Sequence, residues 1–156
     1  MEVLLSKRSK ERVDAKIREL TPRNWGNSLR ACIRQLNEYL HGWMGHFGIC
    51  TAGVEQTLHS LDAHIRRRLR AVQLKHWKRK RTMTRNLMSL GVRAKTAWGS
   101  IYGGKSSLWV LSHSPAVDRG LRNAYFAERG LVSIATHWRQ HPRSIGAQVQ
   151  MQLALG

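Results

Sequence analysis

Apolar positions in this chain recur mostly in steps of three and four, the spacing that puts side chains on one face of an α-helix. From Ser9 to Leu20, the residues Val13, Ile17 and Leu20 share a face, and Thr21-Pro22 closes the segment. With three core positions this helix persists only by packing on something else. Thr21 to Asn27 reads as a connector with Trp25 as an anchor. A second helical region starts near Asn27, a suitable N-cap, and carries Leu29, Ile33, Leu36, Leu40, Trp43, Met44 and Phe47 as a broad stripe. Asn37 favours caps over helix interiors, so its place in the stripe predicts two helices meeting at an angle. Gly42 and Gly45 allow close approach of a neighbour, and Gly48 suits a stop.

The third helix is the clearest. Val54, Leu58, Leu61, Ile65, Leu69 and Val72 share an arc of roughly 80°, and Arg66, Arg67 and Arg70 point away from it. Asp62 is spaced to pair with Arg66, whereas Arg67 and Arg70 have no acidic neighbour one turn away. A basic tract, Lys75-His76-Trp77-Lys78-Arg79-Lys80-Arg81, follows. Beyond it the pattern predicts a short helix from Thr84 to Leu90 ended by Gly91, and another from Ala94 to Ile101. Gly103-Gly104 marks a turn, and Leu108 to Leu111 is an apolar run of open type. Pro115 opens a helix reaching Ala124 or beyond, and Gly130 ends the next one. From Pro142 the chain is polar and loosely patterned, and Arg143 to Gly156 is expected to be frayed or disordered. The expectation is therefore an all-α fold, a three-helix bundle over 9–81 with shorter helices over 82–141 and a disordered tail over 142–156.

Charge changes the picture from a plain bundle to a binding surface. The 156 residues hold 27 Lys and Arg against 9 Asp and Glu, a net charge of +18. That self-repulsion opposes folding and is relieved by a polyanionic partner. Ala63 to Val117 contains thirteen Lys or Arg and no acid, although a solvated face ordinarily mixes both signs. Candidate nucleic-acid contacts are Arg66, Arg67, Arg70, Lys75, Lys78, Arg79, Lys80, Arg81 and Arg85, with Trp77 as a stacking aromatic inside the cationic tract. Trp98, Tyr102 and Trp109 also lie among basic residues. If about eight cations engage, the logarithm of affinity falls against that of salt with a slope of roughly −7 on duplex DNA. An anionic membrane is a weaker rival, because it needs a free apolar face and the stripes here serve packing. No run of about 18 apolar residues offers a membrane span.

Two cysteines, Cys32 and Cys50, make no disulfide framework. The run Val3-Leu4-Leu5 is too short for a signal sequence, so a cytoplasmic location is expected. His46 and Cys50 sit four apart with no second ligand pair nearby, and Cys-x-x-Cys and His-Glu-x-x-His are lacking. Neither a metal nor another cofactor is expected. Asp14, Glu19, Glu38, Glu55, Asp62, Asp118 and Glu128 are scattered, unlike the clustered carboxylates of two-metal polymerases and nucleases. Gly103-Gly104-Lys105-Ser106-Ser107 lacks the upstream glycine of a P-loop. No catalytic residue is expected.

Several of these residues fall into a longer pattern. Leu36-Asn37-Glu38-Tyr39-Leu40-His41-Gly42-Trp43 with His46-Phe47-Gly48 resembles the "LNxYLxGW…YF" signature of the group II intron maturase-specific domain. Leu61 to Arg70 with Lys75-His76-Trp77-Lys78 resembles that family's "LDxWIRRRLR…WK" helix. Lys16 to Thr21, Arg85-Asn86-Leu87, Leu90-Gly91-Val92, Trp109, Ser112, Ser114-Pro115, Leu121, Asn123 and Gly130-Leu131 match its flanks, so the likeness covers about Ser9 to Trp138. The resemblance implies the helical thumb of an intron-encoded reverse transcriptase, binding structured intron RNA and a template–primer RNA/DNA duplex to assist splicing and reverse transcription. Departures are the missing fingers and palm with their Tyr-Ala-Asp-Asp motif, the missing endonuclease domain, His64 where Trp is usual, and His46 before Phe47 where Tyr is common. The chain alone is therefore not expected to polymerise. It reads as a fragment, a split-gene product or a remnant; as a split product it would dock a separately encoded palm/fingers polypeptide through an apolar face near Val13, Ile17 and Trp25.

Overall fold

The computed structural model describes residues 6–22, 26, 28–47, 55–103 and 107–140, with the side chains of His46 and Phe47 excepted. Among the described residues there are nine helices and no strand, so the protein is all-α. They are α1 Lys7–Leu20, α2 Leu29–Phe47, α3 Glu55–Trp77, α4 Lys80–Ser89, α5 Ala94–Tyr102, α6 Leu108–Leu111, α7 Pro115–Gly120, α8 Asn123–Glu128 and α9 Ile134–Gln140. Expectations resting on Trp25, Asn27, Gly48, Cys50, Val54, Gly104 and the segment 142–156 lie outside the described residues.

Local chemistry sets the boundaries. Ser6 caps α1, its hydroxyl accepting from the Ser9 N–H, and Ser28 accepts from the Ala31 N–H at the start of α2. At the end of α1 the Thr21 hydroxyl turns back to the Ile17 carbonyl at 2.6 Å. Two glycines stop helices by taking a positive φ that other residues adopt at a cost: Gly91 (φ 96) after α4 and Gly130 (φ 93) after α8. In both, the next N–H reaches back to a carbonyl of the last turn, Val92 to Leu87 and Leu131 to Phe126. The apolar run Leu108 to Leu111 is a single turn, α6, capped by Ser107. The helix opened by Pro115 ends earlier than its pattern suggests, at Gly120, and restarts as α8.

One hydrophobic core runs through the described residues. Val13 and Ile17 of α1, Ile33, Leu36 and Leu40 of α2, and Leu61, Ile65 and Leu69 of α3 are almost wholly buried. Val13 and Ile17 are thus spent on internal packing and offer no docking face. The second helix is continuous through Asn37, contrary to the predicted break. The Asn37 amide instead ties α2 to the chain leading into α9, its Nδ2 donating to the Gly130 carbonyl at 2.6 Å and its Oδ1 accepting from the Val132 N–H at 3.1 Å.

The described residues from 82 to 140 fold back on the bundle. α9 packs on α2 and α3, α6 packs on α3, and α5 and α7 pack on α4. Asp62 is buried and accepts from the Ile134 and Ala135 N–H groups and the Ser133 hydroxyl at 2.8–3.2 Å. It therefore satisfies the first N–H groups of α9 across 72 residues of sequence and does not pair with Arg66. Because α3 is covered on several sides, its buried surface widens along its length: Ala71, Leu74, Gln73 and Arg70 are buried although all lie off the apolar arc.

Candidate nucleic-acid interface

The arginines of α3 do not form one exposed flank. Arg70 is buried: its Nε donates to the Leu121 carbonyl at 2.8 Å, one terminal nitrogen lies 3.4 Å from the Asp118 carboxylate, and the other reaches the Asn123 side chain. Burial pulls its pKa below the usual guanidinium range, Asp118 opposing that shift and Arg66 adding to it. Arg67 lies 4.0 Å over the Trp109 ring and donates to the Trp109 carbonyl at 3.1 Å. Arg68 donates to Thr21 Oγ1 and the Thr21 carbonyl, tying α3 to the end of α1. The expected exposure of Arg67 and Arg70 is therefore corrected: both clamp the later helices onto α3. Arg66 stays half-exposed.

Exposed cations occur on several helices, and six of the candidate contacts among them lie where α3 hands over to α4. Lys78 takes a positive φ of 64° and its N–H closes the last turn of α3 onto the Leu74 and Lys75 carbonyls. That sharp corner throws Lys78, Arg79, Lys80 and Arg81 outward, and all four are exposed, as are Lys75 and Arg85. None of these six has an ion-pair partner among the described residues. The start of α4 also lacks any side-chain cap and any acid in its first turn. A helix N-terminus is already partly positive, so cations there oppose its stability and favour a bound anion.

The aromatics divide the same way. Trp77 is half-buried against the core and Trp109 is half-buried beneath Arg67. Trp98 and Tyr102, one turn apart on α5, are 47% and 45% exposed and stack on each other with centroids 5.1 Å apart. The Lys80 ammonium lies 5.8 Å from the Tyr102 ring. Beside this pair an open cleft of about 600 Å³ is lined by Arg81, Arg85, Met88, Ser89 and Trp98. Sequence reading favoured Trp77 because it lies in the basic tract; the signal for Trp98 and Tyr102 was an aromatic pair at four-residue spacing on a short helix.

Among the described residues no three His, Cys, Asp or Glu side chains gather as a metal-ligand set, and no helix is long and apolar enough to cross a membrane. The His46–Cys50 pairing lies outside the described side chains. Cys32 is buried with its thiol 3.3 Å from the Leu20 carbonyl, and burial pushes its pKa up to about 11, Arg68 opposing that rise.

These features define a class, an all-helical basic domain with six exposed cations at one interhelical corner and an exposed aromatic pair beside it. The chain belongs to the family "Group II intron, maturase-specific domain", whose model matches residues 10–91, just over half its length. That span holds the cationic corner, while Trp98 and Tyr102 lie beyond it. No curated protein matches the chain.

Proposed function

We propose that this protein is an RNA-binding maturase domain that grips the phosphate backbone of structured group II intron RNA, and of RNA/DNA duplex, without chemistry of its own. The observation that carries this reading is the α3–α4 corner: six exposed cations, Lys75, Lys78, Arg79, Lys80, Arg81 and Arg85, with no ion-pair partner among the described residues, beside an uncapped helix start. Folding gains nothing from that arrangement. A polyphosphate does, since each neutralised phosphate releases counterions. A rigid cationic corner reads backbone shape more readily than base edges, which suits a folded RNA.

Arg67 and Arg70 leave the set of direct contacts, because their hydrogen-bonding capacity is used inside the fold. The test is fluorescence anisotropy with a structured intron RNA. Replacing Lys78, Arg79, Lys80 and Arg81 together by Gln should weaken binding by at least about a hundredfold and flatten its salt dependence, with helical content unchanged by circular dichroism. Unchanged affinity in that variant overturns the reading.

A further inference from the structure

The cleft between α4 and α5 has a construction that backbone neutralisation does not explain. Arg81, Arg85, Met88 and Ser89 follow one another at steps of four, three and one, so they share one face of α4. That face meets the exposed ring of Trp98. One wall is therefore two guanidinium groups a turn apart, neither in an ion pair among the described residues, and a polarisable thioether. The other wall is a flat indole held in place by its stack on Tyr102. Both rings leave nearly half their surface in water, which a domain with a closed core does not need for stability.

We infer that this cleft seats a single unpaired nucleotide of a bound RNA, its base stacked on Trp98 against Met88 and its phosphate held by Arg81 and Arg85. The inference rests on the RNA-binding reading and deepens it by naming the feature recognised: a bulged or looped-out base next to a helix. The cleft lies within the range of small-ligand pockets, about 300 to 1,000 Å³. A continuous duplex keeps its base faces inside the stack and presents none to Trp98, whereas a bulge presents one. Charge complementarity favours a nucleotide over an apolar peptide, because the cleft is contiguous with the cationic corner through Lys80 at the Tyr102 ring. Every base has a π-face, so the site selects for being unpaired more than for sequence.

The experiment compares two RNA hairpins of identical stem, one fully paired and one with a single bulged 2-aminopurine. The wild type should bind the bulged hairpin about tenfold tighter and quench its 2-aminopurine fluorescence. Trp98→Ala should remove both the preference and the quenching while binding the paired hairpin as before, and Trp98→Phe should restore part of each. Free AMP at high concentration, which offers the same base and phosphate, should erode the preference for the bulged hairpin before it affects binding of the paired one; displacement of both hairpins alike would overturn the inference. Equal affinity for both hairpins, insensitive to Trp98→Ala, also overturns it and leaves the aromatic pair as a protein-docking face, with the RNA-binding reading intact. Absence of binding to either hairpin by the wild type overturns both.

Discussion

Two side chains in this fold sit where ordinary chemistry disfavours them, and each gives a measurable consequence. Lys78 occupies the left-handed region, which strains a residue with a Cβ by about 1–2 kcal/mol. Lys78→Gly should raise stability in urea by about 0.5 kcal/mol after the entropy cost of glycine, yet weaken RNA binding through the lost charge. A drop in stability would show that the lysine stem packs usefully. His64 is the second. Its Nε2 is buried without a hydrogen-bond partner among the described residues, and its ring makes a T-shaped contact with Trp109. Burial holds its pKa below the ordinary histidine value, Asp14 opposing and Arg68, Arg18 and Arg67 reinforcing the depression. The unfolded chain then binds a proton that the folded one refuses. This contribution is fully present above the ordinary value near 6.5 and is lost as pH falls from there through the folded value. The fall in urea midpoint between about pH 7.5 and about pH 5.5 should accordingly be smaller in His64→Phe than in the parent.

Helices α3 and α9 are joined by a carboxylate that local sequence cannot interpret. Asp62 looked like a one-turn partner for Arg66, since spacing along a helix is all a lone sequence offers. Its true partners, the Ser133 hydroxyl and the first two N–H groups of α9, are 71 to 73 residues away. Asp62→Ala should cost about 2–3 kcal/mol by orphaning those donors, with exchange protection lost first in α9. The same limit explains the arginines. Period and arc placed Leu58, Leu61, Ile65 and Leu69 correctly on the buried side, but they treated α3 as one-sided. The uncharged run Ala71-Val72-Gln73-Leu74 inside a basic helix was the available hint that its second half is surrounded. Arg70→Ala should then destabilise the fold by about 2 kcal/mol, discounted for the partial exposure of Asp118, and should leave the salt dependence of RNA binding untouched. The candidate site was half legible: the basic tract from Lys75 to Arg81 is exposed apart from half-buried His76 and Trp77, while the exposed aromatics Trp98 and Tyr102 lie one helix further on.

At the scale of the whole molecule, a bundle with a trailing extension gives way to helices that complete one another. With six cations at the corner in place of eight along a helix, the salt slope on duplex should lie near about −5; a slope steeper than about −7 would recruit cations elsewhere. A fragment ending at residue 91 keeps the family-matched span but removes the partners of Asn37, Asp62, Arg67 and Arg70. It should lose the cooperative melt of the full chain. Those long-range ties also impose an order on biosynthesis. At about 5–20 residues per second, the 72 residues between Asp62 and Ile134 take about 4–14 seconds to translate. Arg67 and Arg70 wait a shorter time, until residues 109–123 follow, and in that time their guanidinium groups lack the partners that hold them in the fold. If the protein binds RNA as proposed, the nascent chain should therefore be the less discriminating ligand, until the segment carrying those partners has docked.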